Sequence, residues 1–183
     1  MSTTTSSLIP LANVETDLIE QLLDRAFGAD RFARTAYRIR EGTDWLEALS
    51  FAALDDAEML TGTIQVWPVA LTDPDGRPHP LLMIGPVAVV PERQTEGFGK
   101  ALMLATLDAI GTSPSALPQV LIGDPEYYGR FFGFSAEHTQ QWHCPGPNDP
   151  ARLMVLTPNP AVLPEKGMLG PWTTETQAAL AQS

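Results

Sequence analysis

Hydrophobic residues recur along the first part of the chain at the spacing of a helix. After a short strand at residues 8–11, the pattern predicts a helix that is capped by Asn13 or Thr16 and ends at Gly28. A second helix is expected from about residue 30 to Gly42, and its arginines at positions 31, 34, 38 and 40 are interpreted as a solvated face. The expected inward face of the first helix consists of Leu18, Ile19, Leu22, Leu23 and Phe27.

The middle and end of the chain alternate polar and apolar residues with the period of strands. Strands are expected over residues 49–54 and 59–71, and a strong turn signal at residues 73–76 joins the latter to a strand over residues 80–90. This order favours a mixed α/β layer over strict βαβ alternation. The remaining elements expected are a helix over 97–110, a strand over 120–122, a helix over 124–132 with Asp124 as N-cap, and closing strands from Phe134 and over 152–157.

The length of 183 residues is sufficient for one domain with a buried core. We expect this domain to span residues 1–157. The Pro-rich segment over residues 158–183 is interpreted as a tail packed on the same domain. It is expected to run over the surface as far as Trp172, with a last capped helical turn near Thr173.

Charge and composition restrict the classes of partner. A formal net charge of -11 argues against binding to nucleic acid, which needs an excess of Lys and Arg, and agrees only weakly with a cationic substrate. No apolar stretch approaches the roughly 20 residues of a membrane helix, and the first residues do not have the pattern of a signal peptide. We therefore expect no nucleic-acid and no membrane partner. The single cysteine, Cys144, suits a reducing cytoplasm, and we predict a cytoplasmic location.

The segment most informative about chemistry is the loop between the strand over 80–90 and the helix over 97–110. Gly97 and Gly99 stand at the opening of that helix. Backbone N–H groups at a helix N-terminus have no intrahelical acceptor and point at one place, which suits an anion such as a pyrophosphate. A glycine lets a phosphate approach the backbone because no Cβ stands in the way.

Pro86 lies inside the strand that leads to this loop. A proline removes a ladder hydrogen bond, so it belongs at an edge or a bulge. A bulge would splay this strand from its neighbour. The backbone groups of residues 87–89 could then pair with an extended, amide-bearing ligand.

Two motifs, in this order, resemble those of the Gcn5-related N-acetyltransferases (GNAT). The first is the acetyl-CoA motif Val-x-Pro-x-x-Gln/Arg-x-x-Gly-x-Gly/Ala, matched by Val89, Pro91, Gln94, Gly97 and Gly99. The second covers residues 120–134, and its Gly-Asp-Pro-Glu-Tyr-Tyr is typical of the YhbS-like branch. The resemblance covers residues 8 to about 157. It implies a mixed α/β fold with a central, mostly antiparallel sheet of six to seven strands, splayed middle strands and helices on both faces.

The resemblance also implies an activity. A family member transfers an acetyl group from acetyl-CoA, its co-substrate, to a primary amine by direct attack without an acyl-enzyme; here the acceptor is an unidentified small molecule or protein. A backbone N–H near Val89 would polarise the thioester carbonyl. Tyr128 is the expected acid for the leaving thiolate, with Tyr127 in reserve. The residues expected to bind the cofactor are Val87, Ala88, Val89, Gln94, Thr95, Glu96, Gly97, Phe98, Gly99 and Lys100.

Two features depart from the family pattern. Thr95 and Glu96 stand where the family usually has Gly-Arg or Gly-Lys, and a carboxylate there repels a pyrophosphate unless Arg93 or Lys100 compensates. Four residues, instead of three, separate Tyr128 from the following Gly133. These departures motivate a second hypothesis, a non-catalytic acyl-CoA-binding or regulatory module. A third hypothesis is an acyltransferase that uses a longer acyl-CoA.

The other titratable residues indicate little about the chemistry. The histidines at positions 79, 138 and 143 do not share a metal-ligand spacing, so no metal is expected. Asp124 and Glu126 fall near the expected site, but no general base is assigned, and water is an alternative proton acceptor. Either a monomer or a homodimer is compatible with the sequence.

Overall fold

The structure, a computed structural model, describes residues 7–113 and 116–173. Within these ranges the α-helices are α1 (Thr16–Phe27), α2 (Thr35–Ile39), α3 (Phe98–Gly111) and α4 (Pro125–Phe132). The strands are β1 (Ser7–Pro10), β2 (Phe51–Leu54), β3 (Leu60–Thr72), β4 (Pro78–Val89), β5 (Gln119–Ile122), β6 (Gln141–His143), β7 (Leu153–Leu156) and β8 (Lys166–Pro171).

The chain divides into two compact units, and β3 and β4 run through both. Unit 1 comprises Met1–Phe32, Trp45–Val66 and Gly85–Ala116, and unit 2 comprises Ala33–Asp44, Trp67–Ile84 and Leu117–Ser183. The single domain over residues 1–157 stays a prediction. The buried core of unit 1 contains Leu11, Ile19, Leu22, Leu23, Ala52, Ala88 and Val90. The buried core of unit 2 contains Ile39, Val69, Leu71, Leu81, Met83, Val120, Trp142, Leu153, Val155 and Leu169.

The sheet is mostly antiparallel, as predicted. The pairs β1–β2, β2–β3, β3–β8 and β5–β7 are antiparallel, whereas β4–β5 and β6–β8 are parallel. The strand order is β1-β2-β3-β4-β5-β7, with β8 on β3 and β6 on β8. The register of β4 with β5 joins Leu82 to Gln119 and Met83 to Val120, and both strands continue beyond it. This short ladder agrees with the expected splaying of the middle strands.

In unit 1, helices lie on both faces of β3. Thr63 is the register partner of Ala52, which packs in one core cluster with Ile19, Leu22 and Leu23 of α1. The adjacent Gly62 points the other way, because a Cβ added there would come within 3.0 Å of Leu102 Cδ1 of α3. The expected arrangement of helices on both faces is therefore present in this unit.

The two early helices differ from the prediction. Leu18 is 46% exposed, because it lies about a quarter of a turn from the centre of the stripe that α1 buries. The second helix is only the short α2, preceded by a 3₁₀ turn at Arg31–Ala33. Its arginines are not a uniformly solvated face. Arg31 is buried and pairs with Asp24 and Glu20, and buried Arg40 lies 4.0 Å and 4.2 Å from the ring centroids of Tyr37 and Trp67.

The segment interpreted as a surface tail contributes to the core of unit 2. It forms β8, whose Leu169 is 1% exposed, and the carbonyl of Pro164 accepts a hydrogen bond from Trp142 Nε1 at 3.0 Å. This strand brings the sheet of the described residues to eight strands, above the six to seven expected. The closing strand expected from Phe134 is reduced to a bridge between Ser135 and Val155, followed by β6. The helical turn expected near Thr173 extends outside the described residues.

Candidate functional site

The loop between β4 and α3 presents unpaired backbone donors in unit 1. Gly97 is the N-cap residue of α3, with a φ of 87° in the left-handed region, and a Cβ added there meets no atom within 4 Å. The N–H groups of Thr95, Gly97, Phe98 and Gly99 have no acceptor among residues 7–113 and 116–173. Such a cluster of donors at a helix N-terminus favours an anion.

The end of β4 packs against the start of α3. A Cβ added at Gly99 would lie 3.7 Å from Val89 Cγ2 and 3.9 Å from Val87 Cγ1, which is ordinary contact distance. Gln94 Nε2 donates to the carbonyl of Val89 at 3.5 Å, and Phe98 is buried at the first position of the helix. The structure thus brings Val87, Val89, Gln94 and Gly99 of the predicted set together within unit 1.

Arg93 compensates the charge of Glu96. Its Nε and Nη2 donate to Glu96 Oε2 at 2.7 Å and Oε1 at 2.9 Å, and its Nη1 donates to Asp55 Oδ2 at 2.5 Å. Both carboxylates hold the pKa of the guanidinium above its ordinary value, with the hydrogen bond to Glu96 the largest cause. The repulsion expected from Glu96 is therefore reduced by a bidentate pair on its own loop.

Asp55 was missed by the sequence analysis. Its Oδ1 accepts hydrogen bonds from the N–H groups of Ala57 and Met59, each at 2.9 Å, and these hold the turn between β2 and β3. The N–H of Met59 is the largest cause of a lowered Asp55 pKa. Asp55 and Arg93 are 38 positions apart, so only the fold could show that they meet.

Helix α4 in unit 2 begins and ends as the sequence predicted. Asp124 Oδ1 accepts a hydrogen bond from the N–H of Glu126 at 3.0 Å, which confirms Asp124 as the N-cap. Gly133 takes a left-handed φ of 81°, and the N–H of Phe134 donates to the carbonyl of Tyr128 at 3.3 Å. This C-terminal cap ends the helix at Gly133, so it also holds Tyr128, which four residues separate from that glycine, in a defined position.

The Tyr128 ring packs on Gly123, at the end of β5. A Cβ added at Gly123 would come within 2.5 Å of Tyr128 Cε2, so the ring position requires a glycine there. The Tyr127 ring centroid lies 4.9 Å from that of Tyr128 in an edge-on arrangement. The Tyr128 hydroxyl has no hydrogen-bond partner within the described ranges.

Burial keeps Tyr128 protonated. Desolvation, followed by the charges of Tyr127 and Asp124, raises the pKa of Tyr128 to about 12, and burial also raises the pKa of Tyr127. A phenol with this pKa is an O–H donor at neutral pH. The predicted cofactor residues lie in unit 1, and both tyrosines lie in unit 2.

The described residues show neither a metal cluster nor a membrane span. No group of three or more His, Cys, Asp or Glu side chains in residues 7–113 and 116–173 is placed to hold a metal ion. Among the helices of that same part of the chain, none combines the length and apolar content that crossing a membrane requires.

Comparison with solved structures identifies the fold. The GNAT family N-acetyltransferase YhbS from Escherichia coli, in complex with CoA, matches with a TM-score of 0.70 at 23% identity, over 92% of this chain and 90% of that chain. A GNAT family acetyltransferase from Brucella melitensis, in complex with acetyl-CoA, matches with a TM-score of 0.58 at 25% identity, over 90% and 94% of the two chains. No protein-family model and no curated protein matches the sequence.

These likenesses show that the chain has the fold of the GNAT acetyltransferases. The fold implied by the resemblance of the two motifs is confirmed. A probable N-acyltransferase from Enterococcus faecalis matches with a TM-score of 0.54 at 23% identity, over 73% of this chain and 33% of that longer chain.

Proposed function

We propose that this protein binds acetyl-CoA and transfers its acetyl group to a primary amine. The observation that carries the proposal is the group of unpaired N–H donors at Thr95, Gly97, Phe98 and Gly99. The CoA and acetyl-CoA bound by the E. coli and Brucella proteins of the same fold support this ligand. Bound acetyl-CoA supplies the thioester: a bond from the amine nitrogen to the acyl carbon forms as the C–S bond breaks, and the proton lost by nitrogen balances the one gained by the thiolate.

The residues of the loop have separate roles in this proposal. The N–H groups around Gly97 hold the pyrophosphate, while Arg93 removes the repulsion of Glu96. The backbone of residues 87–89 pairs with the extended part of the cofactor, and an N–H near Val89 polarises the acyl carbonyl. Val87, Ala88, Gln94 and Lys100 remain assigned to the same cofactor site.

Tyr128 is the donor proposed for the leaving thiolate. Its hydroxyl is protonated at neutral pH and does not donate to another group of the described chain. Tyr127 on the same helix is the alternative donor. Neither Asp124, which caps α4, nor another carboxylate is assigned as a general base, so water accepts the amine proton.

Calorimetric titration tests cofactor binding. We expect micromolar binding of acetyl-CoA and CoA to the native protein. Gly97→Ala should raise the Kd about tenfold, because alanine disfavours the left-handed conformation by roughly 1–2 kcal/mol, so that the free loop leaves it and must return to it on binding. Gly111→Ala is the matched control, since Gly111 ends the same helix without a positive φ. An unchanged Kd in Gly97→Ala would show that the loop is not part of the cofactor site.

A Glu96→Arg variant and a turnover assay separate this proposal from a regulatory module. Binding by the variant alone would indicate a degenerate cofactor site. Binding by the native protein without release of free CoA thiol, across a library of amines, would favour a non-catalytic module. Competition by longer acyl-CoA molecules against acetyl-CoA tests the preference for the acyl chain.

A further inference from the structure

Three polar side chains are buried on one face of β3 in unit 1. Thr61, Thr63 and Gln65 alternate with apolar neighbours and are 2%, 0% and 3% exposed. A strand directs every second side chain to the same face, and Thr63 shares its face with Ala52 of β2. The three residues therefore lie on the face that α1 covers.

The hydrogen bonds of these residues differ. The Thr61 hydroxyl donates to the carbonyl of Ala53 at 3.0 Å. The Thr63 hydroxyl is buried without a hydrogen-bond partner in the described residues, and Gln65, two positions further along the same face, is 3% exposed. Buried polar groups in folded proteins are nearly always paired, because an unpaired one loses its hydration without compensation. The Thr63 hydroxyl therefore points to a ligand that completes its hydrogen bonds, and the Gln65 carboxamide is the next polar group on the same face.

These two residues lie beside the backbone expected to hold the acetyl group. The N–H of Val90 donates to the carbonyl of Thr61 at 2.9 Å, and the turn at residues 73–77 makes β3 and β4 an antiparallel hairpin. Two residues further along each strand, Thr63 and Ala88 stand opposite each other. Ala88 is the middle residue of the segment 87–89, and small side chains, Ala52 and Ala88, flank Thr63 on both neighbouring strands.

We propose that Thr63 and Gln65 form a binding subsite for the acceptor, which is a primary amine that carries an uncharged hydrogen-bonding group, a hydroxyl or a carboxamide. This inference rests on the proposed acetyl transfer. The hydroxyl and the carboxamide both donate and accept hydrogen bonds, so they match groups of the same kind. They offer no opposite charge, and a carboxylate or a second ammonium group would be buried there without compensation.

Matched amines test the class of acceptor. The rates of acetylation are compared within two pairs of similar size, 2-aminoethanol against propylamine and glycinamide against isobutylamine. We expect kcat/KM to be at least several-fold higher for the polar member of one or both pairs, because each buried polar group left unpaired lowers affinity. Equal rates, a preference for the apolar amines, or no turnover of all four amines by protein that binds acetyl-CoA would overturn the assignment.

Isosteric variants test the residues themselves. Thr63→Val and Gln65→Leu should reduce the preference for the polar amine several-fold and leave the Kd of acetyl-CoA unchanged. Thr63→Val should also keep or raise the Tm of the free protein, because it removes an unpaired buried hydroxyl. The control on the same strand face, Thr61→Val, removes a paired hydroxyl and should lower the Tm.

The outcomes separate this inference from the proposed function. A protein that does not bind acetyl-CoA would overturn both. The protein could instead bind acetyl-CoA and acetylate amines, with a preference that Thr63→Val and Gln65→Leu do not change. That result would overturn only the subsite, and would leave a buried water as the partner of these side chains. A Thr63→Val variant that loses as much Tm as Thr61→Val would show that the Thr63 hydroxyl is structural.

Discussion

Arg93 shows how one side chain alters the meaning of a neighbouring residue. A carboxylate at position 96, where the acetyl-CoA motif that the chain resembles usually has a cation, argues against phosphate binding. In the structure the Arg93 guanidinium holds Glu96 through two hydrogen bonds and Asp55 through a third. Arg93 also lies 5.0 Å from the ring centroid of Phe98, the first residue of α3. It therefore connects the loop both to the β2–β3 turn and to α3, whose N-terminus is the candidate anion site.

Replacing Arg93 should weaken cofactor binding. Arg93→Met leaves Glu96 and Asp55 uncompensated beside the anion, so we expect the Kd of acetyl-CoA to rise several-fold and the effect to shrink as salt increases. Calorimetric titration at low and high ionic strength measures both. Arg25→Met is the control, because Arg25 pairs with Glu92 in the first turn of the same loop, but both side chains are largely exposed. A similar rise in Kd for both variants would indicate a general effect of charge, and not the loss of the local hydrogen bonds of Arg93.

Helix α4 carries the second sequence motif and the Tyr128 hydroxyl. The Asp124 cap, Gly123 beneath the Tyr128 ring and the left-handed Gly133 place Tyr128 on an eight-residue helix whose two ends are fixed. A thiol such as that of cysteine has a pKa of about 8.5, whereas burial raises the pKa of Tyr128 to about 12. Complete proton transfer from Tyr128 to a thiolate is therefore uphill. The hydroxyl is better suited to stabilise the thiolate by donating a hydrogen bond until solvent supplies the proton.

Removal of the Tyr128 hydroxyl should lower turnover without lowering cofactor affinity. Tyr128→Phe keeps the ring on Gly123, so we expect kcat to fall by about 10²-fold with an unchanged Kd for acetyl-CoA. Steady-state kinetics and calorimetry separate the two quantities. Tyr127→Phe with the larger loss in kcat would transfer the role to Tyr127, and normal turnover in both variants would remove the tyrosines from the mechanism.

The raised pKa of Tyr128 also predicts a pH profile. The folded pKa of about 12 exceeds the ordinary value of 10.0. The hydroxyl is therefore protonated below about pH 10 and loses its proton as the pH rises through 12. The native kcat should therefore show no descending limb between pH 7 and pH 10. A loss of kcat in that range, present in the native protein and absent in Tyr128→Phe, would show that the hydroxyl ionises earlier.

Within the described residues, each compact unit contains a buried hydrophobic core. The core of unit 1 joins α1 to residues of β2 and β4, and the core of unit 2 includes residues of β3, β4, β5, β7 and β8. The last strand, β8, pairs with β3 and with β6. Residues 158–173 of the Pro-rich segment are therefore part of the folded structure of unit 2.

Neighbouring residues of β8 should differ sharply in their effect on stability. Leu169→Ala removes a fully buried side chain and should lower the free energy of unfolding by about 2–5 kcal/mol. Met168→Ala, at a position that is 47% exposed, should change it by less than about 0.5 kcal/mol. Urea denaturation followed by circular dichroism measures both. A small effect of Leu169→Ala would mean that β8 adds little to the core.

Local patterns were sufficient for much of the fold because they act over a few residues. The turn at residues 73–76, the Asp124 cap and the glycine before α3 each depend on the conformations that a short segment can take. Helix α2 was predicted too long, and Leu18 was placed inward, because spacing gives a period but not the orientation of a helix over its sheet. The role of β8 could not be read from a Pro-rich composition, since its partners are strands far away in the chain.

The sequence by itself determined the order of the elements as far as α4, the two motifs and the loop whose N–H groups favour an anion, because all of these depend on residues close together in the chain. Tertiary structure decided which charges meet, as with Asp55 and Arg93, and which buried polar side chains remain unpaired, as with Thr63. A hydrogen bond needs its two groups within about 3 Å, and only the packing of distant segments brings such groups together.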